Sequence, residues 1–329
     1  MFRITVIFAY LVTTGFTACP DAILLGPCKC TEGDILDRRY TVTCRDANAT
    51  TIKAAFAREF DKSNLRTIEI WHSDIGSITA DFFTDKTADY LYLGNNEITS
   101  IDFGVFDNMK AGLKTLEIYG SPALSSFDFN LLEGFQQLNK LHLAFTSITE
   151  VTSLPLLPNL SNIYLGYNLI SSIEPFAFEG LTDLSSLHLN GNKLSGLGDY
   201  WLSFTSNRSL IWVDLMNNQI ESITNNTFTK IGTSYEINLA RNKFTTIPEE
   251  IFYPILEQLG IFGYVDLYPG VSSTDALSGN EIVCDCNIAW LVRAENSIGN
   301  RLQRSYCAHN SFPISQMPAD FFDDVCPQN

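Results

Sequence analysis

One phrase recurs along most of this chain. Residues 163–173 read IYLGYNLISSI, 187–197 read LHLNGNKLSGL and 213–223 read VDLMNNQIESI. Aligned on that phrase, stretches opening at Leu65, Ala88, Leu113, Leu138, Leu160, Leu184, Leu210 and Ser234 follow one another at intervals of 22 to 26 residues. Side chains alternate across a strand, so the two apolar residues of x-Leu-x-Leu face one side and the residue between them the other. A strand this short cannot bury its own apolar edge. Successive copies must stack as parallel rungs about 4.8 Å apart, each completing its neighbour.

Both the period and the phrase are those of leucine-rich repeats, so the fold class expected is an α/β-type repeat solenoid. It should be a curved right-handed coil with a parallel β-sheet on its concave face. The turn after each strand buries backbone groups that need partners. Asn96, Asn168, Asn192, Asn218 and Asn242 stand there, where an inward amide can bridge neighbouring coils; Ser73, Ser121 and Thr146 take that place in other units as a weaker device. Aromatics between the phrases, Phe82, Phe83, Phe103, Phe106, Phe176, Phe178, Phe204, Phe228 and Phe252, are expected to fill the convex side. An exposed aromatic docking stripe is the competing reading.

The ends differ from the middle. All eight cysteines lie there: Cys19, Cys28, Cys30 and Cys44, then Cys284, Cys286, Cys307 and Cys326. C-x-C lacks the two-residue gap of zinc knuckles and no histidine accompanies the first four, so disulfides are expected rather than a metal site. Spacing alone leaves three connectivities for each group of four. Export is consistent with MFRITVIFAYLVTTGFTA, which has the layout of a signal peptide over residues 1–18. A retained anchor would need about 20 apolar residues, and acylation of Cys19 would remove a disulfide partner. The C-terminal DDVCPQN is polar, so a lipid anchor is not expected. Sequons at Asn48, Asn159, Asn207 and Asn225 are candidate glycosylation sites on a secreted, extracellular chain.

CPDAILLGPCKC…C44 and CDCNIAWL…C307…C326 resemble the cysteine-rich caps that flank extracellular leucine-rich repeats. That resemblance implies Cys19–Cys30, Cys28–Cys44, Cys284–Cys307 and Cys286–Cys326. It also implies a cap over 19–64, repeats over 65–280 and a second cap over 281–329, which together shield the apolar ends of the stack. More narrowly, CPDAILLGPCKC and GNEIVCDCNIAWLV are similar to the arthropod family related to the non-catalytic subunit of oplophorus-luciferin 2-monooxygenase. That likeness implies an accessory glycoprotein without chemistry of its own, associating with another protein. One departure stands out: after YVDL the phrase is stretched by an insertion over 268–279, read as a tolerated loop or else as a contact element.

A solenoid of this kind commonly binds through its sheet. The outward column runs Glu69, Tyr92, Glu117, His142, Tyr164, His188, Asp214, Asn238 and Asp266. Beside it lie Trp71, His72, Tyr90, Tyr119, Phe145, Tyr167, Trp212, Arg241, Tyr264 and Tyr268. Large amphipathic rings in this number suit a protein-binding face, although strand propensity alone also selects Tyr and Trp. His142 and His188 are two coils apart, roughly 10 Å, too far to share one zinc ion, and neither a metal nor a cofactor is expected. A pH-sensitive contact at these imidazoles is a further expectation.

A formal charge of −16 disfavours nucleic acid and anionic membranes and suits cationic proteins or neutral sugars, while an acidic surface can also serve solubility alone. G-x-S-x-G, H-E-x-x-H, phosphate-loop and dinucleotide fingerprints are all missing from the sequence, so no enzymatic activity is expected. Two readings follow: a secreted accessory subunit holding a protein partner on its concave face, or a soluble recognition protein for glycans or microbial surfaces in innate immunity.

Overall fold

A computed structural model describes residues 19, 25–33, 39–58, 65–203, 212–229, 231, 236–259, 263–267, 279–294, 298, 301–309 and 312–326. The leader over 1–18, Phe204, the sequon at Asn207, Tyr268 and almost all of the insertion lie outside them.

Twelve strands form one sheet in chain order: β1 (Cys28–Thr31), β2 (Tyr40–Arg45), β3 (Leu65–Trp71), β4 (Tyr90–Gly94), β5 (Thr115–Tyr119), β6 (Lys140–Ala144), β7 (Asn162–Tyr164), β8 (Ser186–His188), β9 (Trp212–Asp214), β10 (Glu236–Asn238), β11 (Tyr264–Asp266) and β12 (Leu302–Gln303). β1 pairs antiparallel with β2, and every later pairing is parallel. The chain is a leucine-rich repeat solenoid with this sheet on one face. The inward residues of the phrase, among them Leu91, Leu116, Leu141, Ile163, Leu187 and Val213, are fully buried and stack from coil to coil. Each such side chain contributes about 1.5–3 kcal/mol of burial free energy, and neighbouring coils complete its burial.

On the opposite side the coils are narrow. They carry short 3-10 turns, Asp107–Met109 and Phe129–Leu132, and short paired strands such as Gly76–Ile78 with Ile98–Ile101. Helices appear at the ends: α1 (Ala49–Phe56), opened by Asn48 and Thr51 in a reciprocal cap, then α2 (Glu249–Gln258) and α3 (Ala289–Arg293). Phe82, Phe83, Phe106, Phe178, Phe228 and Phe252 are buried, and Phe83 meets Phe56 at 5.7 Å and Phe106 at 6.4 Å. Phe103 and Phe176, read as core, are instead 65% and 41% exposed. Phe176 sits at φ 61°, as does its neighbour Tyr200 at 59°, and this left-handed turn places the two rings outside, stacked at 4.9 Å. Phe103 precedes Gly104 at φ 83°, in the matching turn of an earlier coil.

The turn ladder closes each coil from within. Asn192 accepts from the Ile170 N–H at 3.0 Å and donates to the Leu165 and Leu189 carbonyls at 2.9 Å each. Asn218 and Asn242 repeat the pattern one coil at a time. The same geometry recurs at Asn280, which accepts from Phe244 N–H and donates to the carbonyls of Leu239 and Leu267. Just before each ladder position the backbone turns left-handed, at Asp46, His72, Asn95, Gly120, Phe145, Tyr167, Gly191, Asn217 and Arg241.

Both edges of the stack are covered. Disulfides join Cys19 to Cys30 and Cys28 to Cys44 at one end, the latter across directly paired residues of β1 and β2. At the other end they join Cys284 to Cys307 and Cys286 to Cys326. There β12 adds a strand beyond β11, Arg301 donates to the Leu256 and Leu259 carbonyls, and the Trp290 indole donates to the Ile247 carbonyl at 2.8 Å. An uncovered strand edge would invite pairing with another chain.

Candidate concave-face binding site

The outward column forms in unbroken register: Glu69, Tyr92, Glu117, His142, Tyr164, His188, Asp214, Asn238 and Asp266 are successive Cα partners. Its C-terminal end is closed off. Asn238 and Asp266 are buried, and Arg304, just past β12, pairs with the Asp266 carboxylate. The usable face therefore runs from Glu69 to Asp214, with Glu236 and Tyr264 beside its end.

Rings join across this face into one ladder. Trp71 meets Tyr119 at 5.7 Å, Tyr119 stacks on His142 at 5.6 Å, His142 meets Tyr164 at 5.3 Å, Tyr164 stacks on His188 at 4.5 Å, and His188 stacks on Trp212 at 6.0 Å. The ladder crosses the strands diagonally and spans seven of them, about 30 Å at the usual strand spacing. Trp71 and Tyr119 touch although a whole strand lies between them. Gly94 sits in register with both, and a Cβ there would fall 2.2 Å from the Trp71 ring and 3.0 Å from that of Tyr119. Glycine at 94 is what lets the first rung close. Tyr90 and Tyr92 lie beside the ladder, stacked on each other at 6.4 Å.

Mutual stacking explains why most of these rings are only half exposed. Trp212, 39% exposed, is the most open rung of the ladder. Phe145 and Tyr167 are more exposed still, 53% and 50%, but belong to the left-handed turns at the rim and stack on each other at 4.6 Å. Bulky residues in that backbone region are uncommon, and they hold two ring faces out toward water.

Charged groups interleave with the rings. Glu69 accepts from Thr43 and from the Trp71 indole. Glu117 lies 2.7 Å from the Lys140 ammonium and 3.5 Å from His142 Nδ1. Burial pushes the Glu117 carboxyl up, but the neighbouring His142 imidazole and the Lys140 ammonium outweigh it and hold the group below its usual range. Three cations already lie over rings of this sheet: Arg45 over Trp71 at 5.5 Å, Arg66 over Tyr90 at 5.3 Å and Lys140 over Tyr164 at 5.1 Å. At the C-terminal end His188 Nδ1 is 3.9 Å from Asp214, and the Tyr264 hydroxyl donates to Glu236 at 2.7 Å. Burial, that hydrogen bond and the nearby carboxylates push the Tyr264 phenol up to about 12, so it stays a donor. Burial also raises Glu236, helped by Asp266 and Asp214.

Of the candidate glycosylation sites, Asn48, Asn159 and Asn225 are exposed, away from the ring ladder. Among the described residues no cluster of His, Cys, Asp or Glu is placed to hold a metal ion, and no helix is long and apolar enough to cross a membrane.

Family comparisons agree with the geometry. A leucine-rich repeat model matches residues 136–194 and 158–207, and one for a BspA-type leucine-rich repeat region of six copies matches 55–154. The Oplophorus-luciferin 2-monooxygenase non-catalytic subunit of Oplophorus gracilirostris is 26% identical over 90% of this chain and 85% of its own. Lumican of Homo sapiens is 30% identical over 63% of this chain, and lumican of Coturnix japonica 30% over 50%; this chain spans 57% and 46% of those proteins. Among solved structures, a chain of the Toll–Spatzle complex of Drosophila superposes with a TM-score of 0.59 at 17% identity, over 77% of this chain and 38% of that one. A chain from the octameric complex of Latrophilin 3, Unc5D and FLRT2 superposes with a TM-score of 0.59 at 16% identity, over 94% of this chain and all of that one. These two likenesses concern the fold. The chain is thus a leucine-rich repeat protein with disulfide-bonded ends, similar over most of its length to the luciferase non-catalytic subunit.

Proposed function

We propose that this chain is an exported, non-enzymatic binding protein, an accessory subunit that holds an extracellular protein partner against the ring ladder of its concave face. The observation carrying this is the ladder itself: contiguous rings from Trp71 to Trp212, fixed in register by the sheet beneath them. Rings preordered in this way lose little side-chain freedom on docking, which favours them as interface anchors. Likeness to a protein named as a non-catalytic subunit supports the accessory role, and the cystine pairs and exposed sequons fit an extracellular setting.

The test is recovery of the tagged chain from its own tissue fluid alongside a Tyr92→Ala/Tyr164→Ala/Trp212→Ala variant. A stoichiometric partner present with the parent and lost with the variant is expected. A partner held equally by both would place the interface elsewhere and overturn this reading. Glycan recognition is favoured by one observation, the outward-held Phe145 and Tyr167 rings, which suit the apolar faces of sugars. Sugar binding that survives the triple variant but is lost with Tyr167→Ala would establish it.

A further inference from the structure

The concave-face reading leaves the chemistry of the partner open, and the charge pattern along the ladder narrows it. Where Arg45, Arg66 and Lys140 cover rings, they belong to the first two thirds of the face. At the last rung the arrangement differs. One face of the Trp212 ring rests against His188, the ring is the most exposed of the ladder, and none of this chain's described cations lies over it. Asp214 follows two residues later on the same face of the sheet, and Glu236 is the direct cross-strand partner of Trp212. Asp214 accepts only from the Met216 N–H, with His188 at 3.9 Å; Glu236 accepts from the Tyr264 hydroxyl. Each carboxylate thus keeps acceptor capacity. Arg304, whose charge acts on Glu236, is paired with Asp266.

We propose, resting on the concave-face reading, that Trp212, Asp214 and Glu236 receive an arginine side chain from an extended basic segment of the protein partner. A planar guanidinium can lie on the indole face while its N–H groups reach both carboxylates, a combination that a lysine ammonium matches less well. The sheet already sets its own cations over rings in three places, two of them arginines. The Asp214 and Asp266 carboxylates both act on Glu236, which puts several acidic groups close to where the cation would sit. The whole-chain charge of −16 draws a basic segment toward the face.

The test uses two synthetic Gly/Ser peptides of equal length, carrying either arginine or its neutral isostere citrulline at alternate positions, titrated at low salt into the intact disulfide-bonded protein. The arginine peptide should bind and the citrulline peptide should not. Trp212→Ala should weaken binding about tenfold. Asp214→Asn/Glu236→Gln, which keeps the hydrogen bonds from Met216 and Tyr264, should weaken it by about tenfold or more. Glu249→Gln/Glu250→Gln on helix α2 removes equal charge elsewhere and should leave it unchanged. Equal binding of the citrulline peptide, or equal weakening by the α2 variant, would overturn the proposal. The native partner separates the two claims. If it is lost with the triple ring variant but retained by Asp214→Asn/Glu236→Gln, the concave face stands and the arginine contact falls; if both variants retain it, the concave-face reading itself fails.

Discussion

From Asn168 to Asn280 each coil turn is closed by an asparagine amide that makes at least three hydrogen bonds, while from Ser73 to Thr146 only Asn96 does comparable work. Ser73 substitutes well, since its hydroxyl donates to the Trp71 carbonyl and accepts from the Ala47 N–H. Thr146 donates to the next asparagine in line, Asn168. Ser121 does neither: its hydroxyl is fully buried and without a partner. The poorer stretch carries ion pairs close to its weak turns, Asp89 with Arg39 and Lys114, and Glu117 with Lys140, while those of the other half, such as Asp266 with Arg304, come on top of a complete amide ladder. One half of the solenoid is held from inside by neutral amides, the other partly from its surface by charge, and the two should fail under different conditions.

The largest test removes an amide. Asn192→Ala leaves the Ile170 N–H buried without an acceptor and should lower stability by about 3 kcal/mol in urea unfolding. A loss below about 1 kcal/mol would show that the ladder is not what distinguishes the halves. Acid should act on the other half. Asp89 and Glu117 have carboxyls held below their ordinary values of 3.8 and 4.5: burial opposes this, but their hydrogen-bonded cations prevail. Their stabilisation is complete above those values and is lost as pH falls through the folded-state ones. Glu236 is raised, so its contribution is present below 4.5 and lost as pH rises through its folded-state value. Amide exchange near Leu116 and Leu141 should therefore quicken below about pH 4.5 while that near Ile237 and Val265 does not. Parallel behaviour of the two regions would remove the distinction.

Thr146→Val deletes one hydroxyl bond while the backbone bond to Asn168 persists, and should cost about 1 kcal/mol. The smallest effect is expected at Ser121. Its replacement by alanine removes a buried hydroxyl that bonds nothing and should be neutral or stabilising by up to about 1 kcal/mol by thermal unfolding. A clear loss there would reveal a partner and make the two halves more alike.

Much of this organisation was legible in the repeat phrase. Alternation placed Glu69 through Asp214 on one face, and the spacing of the phrase fixed their register. What escaped depended on backbone hand and on neighbours far along the chain. Phe103 and Phe176 look like core residues in the sequence, but the left-handed turns around them, at Phe176 itself and at Gly104, turn the rings outward. Asp266 reads as an open position until a cap residue more than thirty positions later, Arg304, pairs with it. Continuity of the ladder could not be read either: Trp71 reaches Tyr119 only because an unremarked glycine lies between them, and the exposed Phe145–Tyr167 pair depends on two bulky residues accepting positive φ.

Asn280 has one more consequence. In other coils the ladder asparagine lies three residues after the leucine whose carbonyl it holds, as Asn192 follows Leu189; here the separation is thirteen, and the bond to Leu267 is made all the same. The coil is thus a clasp whose two halves need not be adjacent in sequence. Because loop closure grows dearer only slowly with length, chain can be added between Leu267 and Asn280 without disturbing the stack. That interval is a natural splice point, where a tag or a second binding loop can be grafted.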